Sequence, residues 1–154
     1  VISEKAMVEL DPKTKGPKVN SQLMTTVPGI FACGNVLHIH DLVDHVSMEG
    51  MLVADSILTY LNHDTDPKMI PIRAQGALSY VLPQTISSES KTVLLKYRVN
   101  KPMKKGILKL ISNDQVIMTF PKVDLHPSEM QTLQLSQAIL CKIDYNLVVE
   151  LCDE

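Results

Sequence analysis

The sequence has little cysteine, and its cysteines are not arranged in pairs. Cys33, Cys141 and Cys152 are far apart in the chain and odd in number. Small secreted domains stabilised by disulfides carry an even number of cysteines, so a disulfide scaffold is excluded and a reducing, cytoplasmic location is expected. No C-x-x-C occurs, which excludes a dithiol redox pair within this chain.

The sequence also lacks basic clusters and long apolar runs. It has 15 Lys and Arg against 17 Asp and Glu, a net charge of −2, and no cluster suited to neutralising phosphates, so nucleic acid is not an expected partner. No apolar run approaches the ~20 residues that span a bilayer, and the first residues do not form a signal peptide, so we expect no membrane insertion. With 45% hydrophobic and 21% charged residues, the chain is expected to be globular.

One short stretch carries most of the functional information. A predicted apolar strand, Ile30 to Cys33, runs directly into Gly34 and Asn35, and a long amphipathic helix is predicted after a short loop. Glycine lets another group approach the backbone closely, and a helix N-terminus attracts anionic groups. This order of elements therefore favours a cofactor pocket.

The same stretch resembles a segment of known flavoproteins. It matches T-x-x-P-G-[IV]-[FY]-A-x-G-[DN] at the following positions: Thr25 or Thr26, Pro28, Gly29, Ile30, Phe31, Ala32, Gly34 and Asn35. This is similar to the last FAD-binding segment of the pyridine-nucleotide-dependent flavoprotein oxidoreductases, the thioredoxin-reductase-like class. The resemblance covers residues 1 to about 61. It implies FAD as cofactor and NAD(P) as the electron-exchanging nucleotide.

The resemblance also assigns roles to individual residues. It implies that Gly34 and Asn35 bind the ribityl and phosphate portion of FAD, with asparagine here where aspartate is usual. It implies that the backbone N–H groups of Leu42 and Val43 face the N1–C2=O edge of the flavin, where they would stabilise the negative charge of the reduced ring.

The histidine-rich loop after Asn35 admits three interpretations. His38, His40 and His45 with two aspartates suggest a metal site, but H-x-H in a loop is a weak signal and no cysteine or glutamate is expected within reach, so we predict no metal site. The phrase G-N-V-L-H-I-H-D-L-V-D is similar to a bacterial branch described as glycerol-3-phosphate-dehydrogenase-like or NAD/FAD-dependent dehydrogenases. That similarity makes His40 a candidate proton donor or acceptor. The alternative is that these histidines are solvated loop residues or helix caps.

A complete enzyme of this class needs two G-x-G-x-x-G turns, one for each dinucleotide. None of the six glycines forms such a turn. We therefore expect a C-terminal fragment of a flavin-dependent oxidoreductase that transfers electrons between NAD(P)H, FAD and an unidentified substrate, and we expect the fragment alone to be inactive. The alternative function is a non-catalytic β-sandwich module for interaction or dimerisation, with a second copy or an oxidoreductase subunit as partner.

The predicted fold class is α+β. Residues 1–62 are expected to form a partial, Rossmann-like FAD-binding segment, with a hairpin of Met7–Leu10 and Pro17–Asn20 before the strand. The helix is predicted from Leu42, capped by Asp41, to residues 60–62. We expect it to bury one apolar face, with Gly50 in close contact with a strand. That face consists of Val46, Val53, Ala54, Ile57 and Leu61.

The second half of the chain changes to a period of two. Residues 63–72 are polar and proline-bounded and are predicted to be a linker. Residues 73–154 contain six or seven short predicted strands, with a hairpin turn at 112–115, which indicates a small immunoglobulin-like β-sandwich. The absence of tryptophan and of paired cysteines limits that likeness to architecture.

Overall fold

The computed structural model describes residues 2–62 and 67–153, leaving aside the side chain of Ile2. Its helices are α1 (Ile2–Lys5), a 3-10 helix (Gly34–Val36), α2 (Val43–Asn62) and α3 (Gln137–Leu140). Its strands are β1 (Met69–Gly76), β2 (Leu78–Leu82), β3 (Thr85–Ser87), β4 (Val93–Val99), β5 (Met103–Ser112), β6 (Gln115–Leu125), β7 (Gln131–Leu135) and β8 (Leu147–Asp153).

The strands form two sheets around one apolar core. The larger sheet has the order β3-β1-β8-β5-β6 and the smaller has the order β2-β4-β7. Strands β1 and β8 pair in parallel, and the other neighbours pair antiparallel. Side chains from both sheets are fully excluded from solvent, among them Leu95, Tyr97, Leu108, Leu110, Leu147 and Val149. Mixed helix and strand content with two facing sheets confirms the coarse fold prediction.

The hairpin between β5 and β6 turns where the sequence predicted it. Ser112 pairs with Gln115, so Asn113 and Asp114 are the two loop residues. Their φ angles are +51° and +61°, as a type I′ turn requires, and Asn and Asp tolerate this left-handed region better than most residues.

Strand β1 lies partly in the predicted linker. Residues 63–66 of that linker are outside the described residues, but β1 begins at Met69 and pairs with both β3 and β8. Ile70 and Ile72 are buried, whereas Pro71 between them is exposed. Proline is a strong loop signal, and here it obscured the period-two pattern of a strand.

The front segment, residues 2–42, has less regular structure than predicted. The expected strand at 30–33 is a single bridge between Met24 and Phe31, and the expected hairpin is reduced to isolated bridges such as Leu10 with Pro17. The turn of this hairpin is nevertheless closed, because the Asp11 N–H donates to the Gly16 carbonyl at 2.8 Å.

Helix α2 runs from Val43 to Asn62, close to its predicted bounds, but its predicted buried face is wrong. Val46 and Val53 are half-buried, and three further members of that face are exposed: Ala54, Ile57 and Leu61. The buried side chains of the helix are Glu49 and Ser56. The expected contact at Gly50 is also wrong, since a Cβ placed there would have no atom within 4 Å.

The front segment packs against the sandwich. The Val19 N–H donates to Gln84 Oε1 at 2.9 Å, and the Gln84 N–H donates back to the Val19 carbonyl at 3.0 Å. Leu37 of the front segment and Leu82 of β2 share a second, smaller apolar cluster. The two halves of the chain are thus joined by backbone pairing and by apolar contacts.

None of the helices in the described parts of the chain is both long and apolar enough to cross a membrane.

Candidate functional site

Gly34 occupies a position that requires glycine. Its φ is +71°, and a Cβ there would lie 3.2 Å from Val46 Cγ1 of α2, which is closer than ordinary van der Waals contact. Its N–H donates to Glu49 Oε2 at 2.6 Å. The end of the predicted motif is therefore held against the helix by both shape and charge.

Asn35 closes the loop that follows. Its side chain is exposed, and its Oδ1 accepts the backbone N–H of His40 at 3.1 Å. The loop from 35 to 40 is thereby folded back so that the His38 and His40 rings meet, with centroids 4.3 Å apart.

The helix N-terminus is open to solvent. Leu42 and Val43 are 59% and 79% exposed. The prediction that Asp41 caps this helix is wrong. The helix begins at Val43, and both Asp41 oxygens bind elsewhere: Oδ1 pairs with Arg98, and Oδ2 accepts the Met130 N–H at 2.6 Å.

A cluster of four ionisable residues, His38, His40, Glu49 and Lys96, lies beneath the loop. Glu49 Oε1 is 3.0 Å from His40 Nε2 and 3.9 Å from His38 Nε2, and it forms an ion pair with the Lys96 ammonium. The expectation that no glutamate lies within reach of the histidines is wrong. The α2 helix brings Glu49 back to the loop.

Three of the four side chains in this cluster are almost fully buried. The side chains of His38 and His40 are each 1% exposed, and that of Glu49 is 3% exposed. Burial alone would raise the pKa of Glu49, but the adjacent His38 and Lys96 and the Gly34 N–H stabilise its anion and lower the pKa to about 2. Burial lowers the pKa of His38, since the charged imidazolium is poorly solvated there.

A ring of hydrogen bonds surrounds the cluster. His38 Nδ1 lies 2.9 Å from the Tyr80 hydroxyl, which accepts from Arg98 Nε at 3.1 Å. Arg98 also donates to the Ile39 carbonyl at 3.0 Å and pairs with Asp41. Burial raises the pKa of Tyr80. Two sandwich residues, Tyr80 and Arg98, therefore fix the loop.

Among the candidates named from the sequence, Gly34, Asn35, His40, Leu42 and Val43 all lie on this loop and the start of the helix. Their orientations differ. Leu42 and Val43 face solvent, whereas the His40 ring faces inward onto Glu49. The role of His40 as a proton donor or acceptor stays a prediction.

A cleft of about 200 Å³ lies beside the cluster, between α2 and the smaller sheet. Its polar lining comes from five residues, Ser21, His45, Glu49, Lys96 and Thr132, and the remaining lining is apolar. The apolar lining residues include Leu23, Leu37, Met48, Leu52, Leu82, Leu94 and Met130.

Sequence reasoning missed Glu49, Lys96, Tyr80 and Arg98. A signal for Glu49 was present, because it shares a helical stripe with Val46 and Val53 and interrupts it with a charge. The signals for Lys96 and Arg98 were weaker. They alternate with buried residues along β4, but most such positions face water.

Comparison of the chain with protein-family models, with curated proteins and with solved structures found no match.

Proposed function

We propose that residues 1–62 supply the last FAD-binding segment of a flavin-dependent oxidoreductase that transfers electrons between NAD(P)H, FAD and an unidentified substrate. The pyrophosphate turn and the nicotinamide site would come from residues outside this sequence. The observation that carries the proposal is the junction of Gly34 with the open start of α2. A left-handed glycine there is followed by a loop that leads to an unobstructed helix N-terminus.

The helix start supports this function by its charge and its access. α2 has 20 residues, so its dipole places partial positive charge at Leu42 and Val43. Reduced flavin carries negative charge near N1, and backbone N–H groups at a helix end stabilise such charge. The exposed side chains of Leu42 and Val43 are apolar, which suits contact with the isoalloxazine ring.

The exposed surface of α2 supports it independently. Large apolar side chains remain in solvent along much of the helix: Met48, Met51, Leu52, Ile57, Leu58, Tyr60 and Leu61. So many exposed large apolar side chains on one helix favour a contact with another structural unit. In our proposal, that unit is the remainder of the FAD domain.

Asn35 and His40 have different roles in this proposal. Asn35 is exposed, and its Oδ1 is already used by His40, so its amide N–H groups are the donors left for the ribityl and phosphate portion. His40 would take part in proton transfer near the ring. Because its side chain is covered, substrate could reach it only after the loop moves.

A mutant pair tests this assignment in the product of the complete native reading frame. Asn35→Ala should lower bound flavin, since it removes a hydrogen bond contributing about 0.5–1.5 kcal/mol and loosens the loop. His40→Ala should keep flavin and reduce turnover by roughly 10²-fold. Asn62→Ala, at the far end of α2, is the control. Flavin absorbance per polypeptide and the pH–rate profile are measured. If His40→Ala loses flavin and Asn35→Ala does not, the site assignment fails.

The 154-residue chain by itself provides a second test. We expect it to bind FAD weakly or not at all, because one helix N-terminus does not replace a pyrophosphate turn. Copurification of one flavin per chain would contradict the proposed division of the site.

The alternative, a β-sandwich interaction module, has one observation in its favour. Within the described residues β6 pairs only with β5, which leaves an 11-residue edge with Val116 and Val123 exposed. Such an edge can accept another strand, although Pro121 and Lys122 on it disfavour pairing. A dimer in light scattering that Val123→Lys converts to monomer would favour this alternative. A monomeric wild type would count against it.

A further inference from the structure

We propose that His38, His40 and Glu49 form a binding site for one divalent transition-metal ion, of the class to which Zn²⁺ belongs. The proposal does not rest on the flavin function, and a metal ion on His40 Nε2 would replace the proton-transfer role proposed for that residue. Its ligand atoms are the Nε2 atoms of the two imidazoles and Oε1 of Glu49. The three residues are buried, and one possible ligand atom from each lies within 4.8 Å of the other two.

The two imidazole Nε2 atoms have no hydrogen-bond partner in the described part of the chain. His38 Nε2 and His40 Nε2 are both buried and form no hydrogen bond within the described structure. Buried polar atoms without partners are rare, and each one needs an explanation. Here both point toward the same carboxylate oxygen, at 3.9 and 3.0 Å. A metal ion placed between the three atoms would satisfy both nitrogens at once.

The outer contacts set the ring orientation that metal binding needs. His40 Nδ1 lies 3.1 Å from the His38 carbonyl. A carbonyl only accepts, so Nδ1 carries the hydrogen, and Nε2 of the neutral ring is left with a lone pair facing Glu49. His38 Nδ1 lies 2.9 Å from the Tyr80 hydroxyl, which accepts from Arg98 Nε, and metal binding at His38 Nε2 needs the tautomer whose Nδ1–H donates to that hydroxyl. Metal-binding histidines characteristically donate their second N–H in this way.

The contacts of Glu49 likewise orient its carboxylate for metal binding. Glu49 Oε2 accepts the Gly34 N–H at 2.6 Å, so Oε1 is the oxygen that faces the two imidazoles and the Lys96 ammonium. Two neutral imidazoles and one carboxylate are a donor set found in zinc and non-haem iron sites.

Lys96 is the competing cation. Its ammonium contacts Glu49 Oε1, which is the atom that the metal would use. The metal ion and the ammonium would therefore compete for the same carboxylate oxygen. Lys96 also lines the 200 Å³ cleft, which gives its flexible side chain room to withdraw. Removing the ammonium should therefore strengthen metal binding. An ordinary ion-pair cluster would not respond in this way.

The test is calorimetric titration of the 154-residue chain with Zn²⁺, with Co²⁺ absorption as a second probe. We expect one ion per wild-type chain. His40→Gln should weaken binding about tenfold or more, as loss of a ligand does, and Lys96→Met should strengthen it by a similar factor. His126→Gln, which removes an exposed histidine remote from the cluster in sequence, should change nothing. The Co²⁺ complex should show no thiolate charge-transfer band, which excludes binding at the three cysteines.

Folding is monitored for each variant by circular dichroism. If His40→Gln does not fold, the Lys96→Met variant still tests the proposal. Zn²⁺ should raise the melting temperature of Lys96→Met more than that of wild type. Equal Zn²⁺ affinity in wild type, His40→Gln and Lys96→Met would overturn the proposal, as would absence of binding in folded Lys96→Met. Either result would show that Glu49 serves only as the counter-ion of Lys96.

Discussion

The two faces of strand β4 contact two parts of the molecule that are stabilised in different ways. On one face Val93, Leu95 and Tyr97 are at most 3% exposed and belong to the sandwich core. On the other face Lys96 forms an ion pair with Glu49 of α2, and Arg98 forms one with Asp41 of the front segment. A single period-two strand thus supports an apolar core on one side and a buried polar contact on the other.

The difference lies in how each region is stabilised. The sandwich is stabilised by apolar burial and continuous backbone ladders. The front segment has isolated bridges and one small apolar cluster, and it depends on directional contacts with partners from the sandwich. Apolar packing tolerates changes of charge and pH, whereas a dry ionic cluster does not.

The largest loss of stability should come from the face of β4 that packs into the core. Leu95→Ala should lower the free energy of unfolding by about 2–5 kcal/mol, because it leaves a cavity in a close-packed interior. Leu94→Ala is the matched control, since Leu94 neighbours it in β4 and is 44% exposed. Urea unfolding compares them. Similar losses from both variants would contradict the assignment of the two faces.

The next largest loss of stability should come from the face of β4 that carries Lys96 and Arg98. Glu49→Gln should lower the free energy of unfolding by about 3 kcal/mol, since it leaves the Lys96 ammonium without its counter-ion. Hydrogen exchange should accelerate mainly in residues 34–62. Exposed Glu129→Gln serves as the control. If hydrogen exchange accelerated equally in the sandwich and in residues 34–62, the loss of Glu49 would destabilise both regions alike and contradict this prediction.

Acid should weaken the front segment first. The folded pKa of His38 is lowered from 6.5, so the unfolded chain takes up the proton first and stability falls as pH drops below about 6.5. The pKa of Glu49 is lowered from 4.5 to about 2, so its contribution is present above 4.5 and is lost between 4.5 and 2. Melting temperatures from pH 8 to 3 measure this. His38→Gln should flatten the upper part of the profile, and an unchanged profile would contradict the assignment.

The smallest expected effect is a gain in the free energy of unfolding. The Tyr97 hydroxyl is buried without a hydrogen-bond partner in the described structure, and burial raises its pKa to about 12. Tyr97→Phe removes that unsatisfied group while keeping the ring, so the free energy of unfolding should rise by about 1 kcal/mol. Chemical denaturation detects it, and a loss of 1 kcal/mol would indicate a hydrogen bond to water or to another group.

Most of the strands in the second half of the chain were predictable because their signals are local. The alternation along β4 and the turn at Asn113–Asp114 follow from neighbouring residues alone. β1 was less visible because Pro71 interrupts its pattern, and its partner β8 lies at the other end of the chain. A parallel pairing over that separation leaves no local signal.

The site was predictable only in part. Resemblance to the flavoproteins singled out the Gly34–Asn35 junction and the helix start, and their contacts with flavin stay predictions. The cluster could not, because Glu49 meets His38, His40 and Lys96 only after α2 and β4 pack together. The exposed face of α2 was likewise predicted to be buried, since periodicity identifies an apolar stripe but does not identify what covers it.

Flavin content of the complete native polypeptide tests the central proposal most directly. We predict one FAD per polypeptide by absorbance after purification, reduced by NADH or NADPH, with Gly34→Val losing the flavin because of its φ of +71° and the 3.2 Å approach of Val46. A complete polypeptide that contains no flavin and takes up none when FAD is added would contradict the proposal.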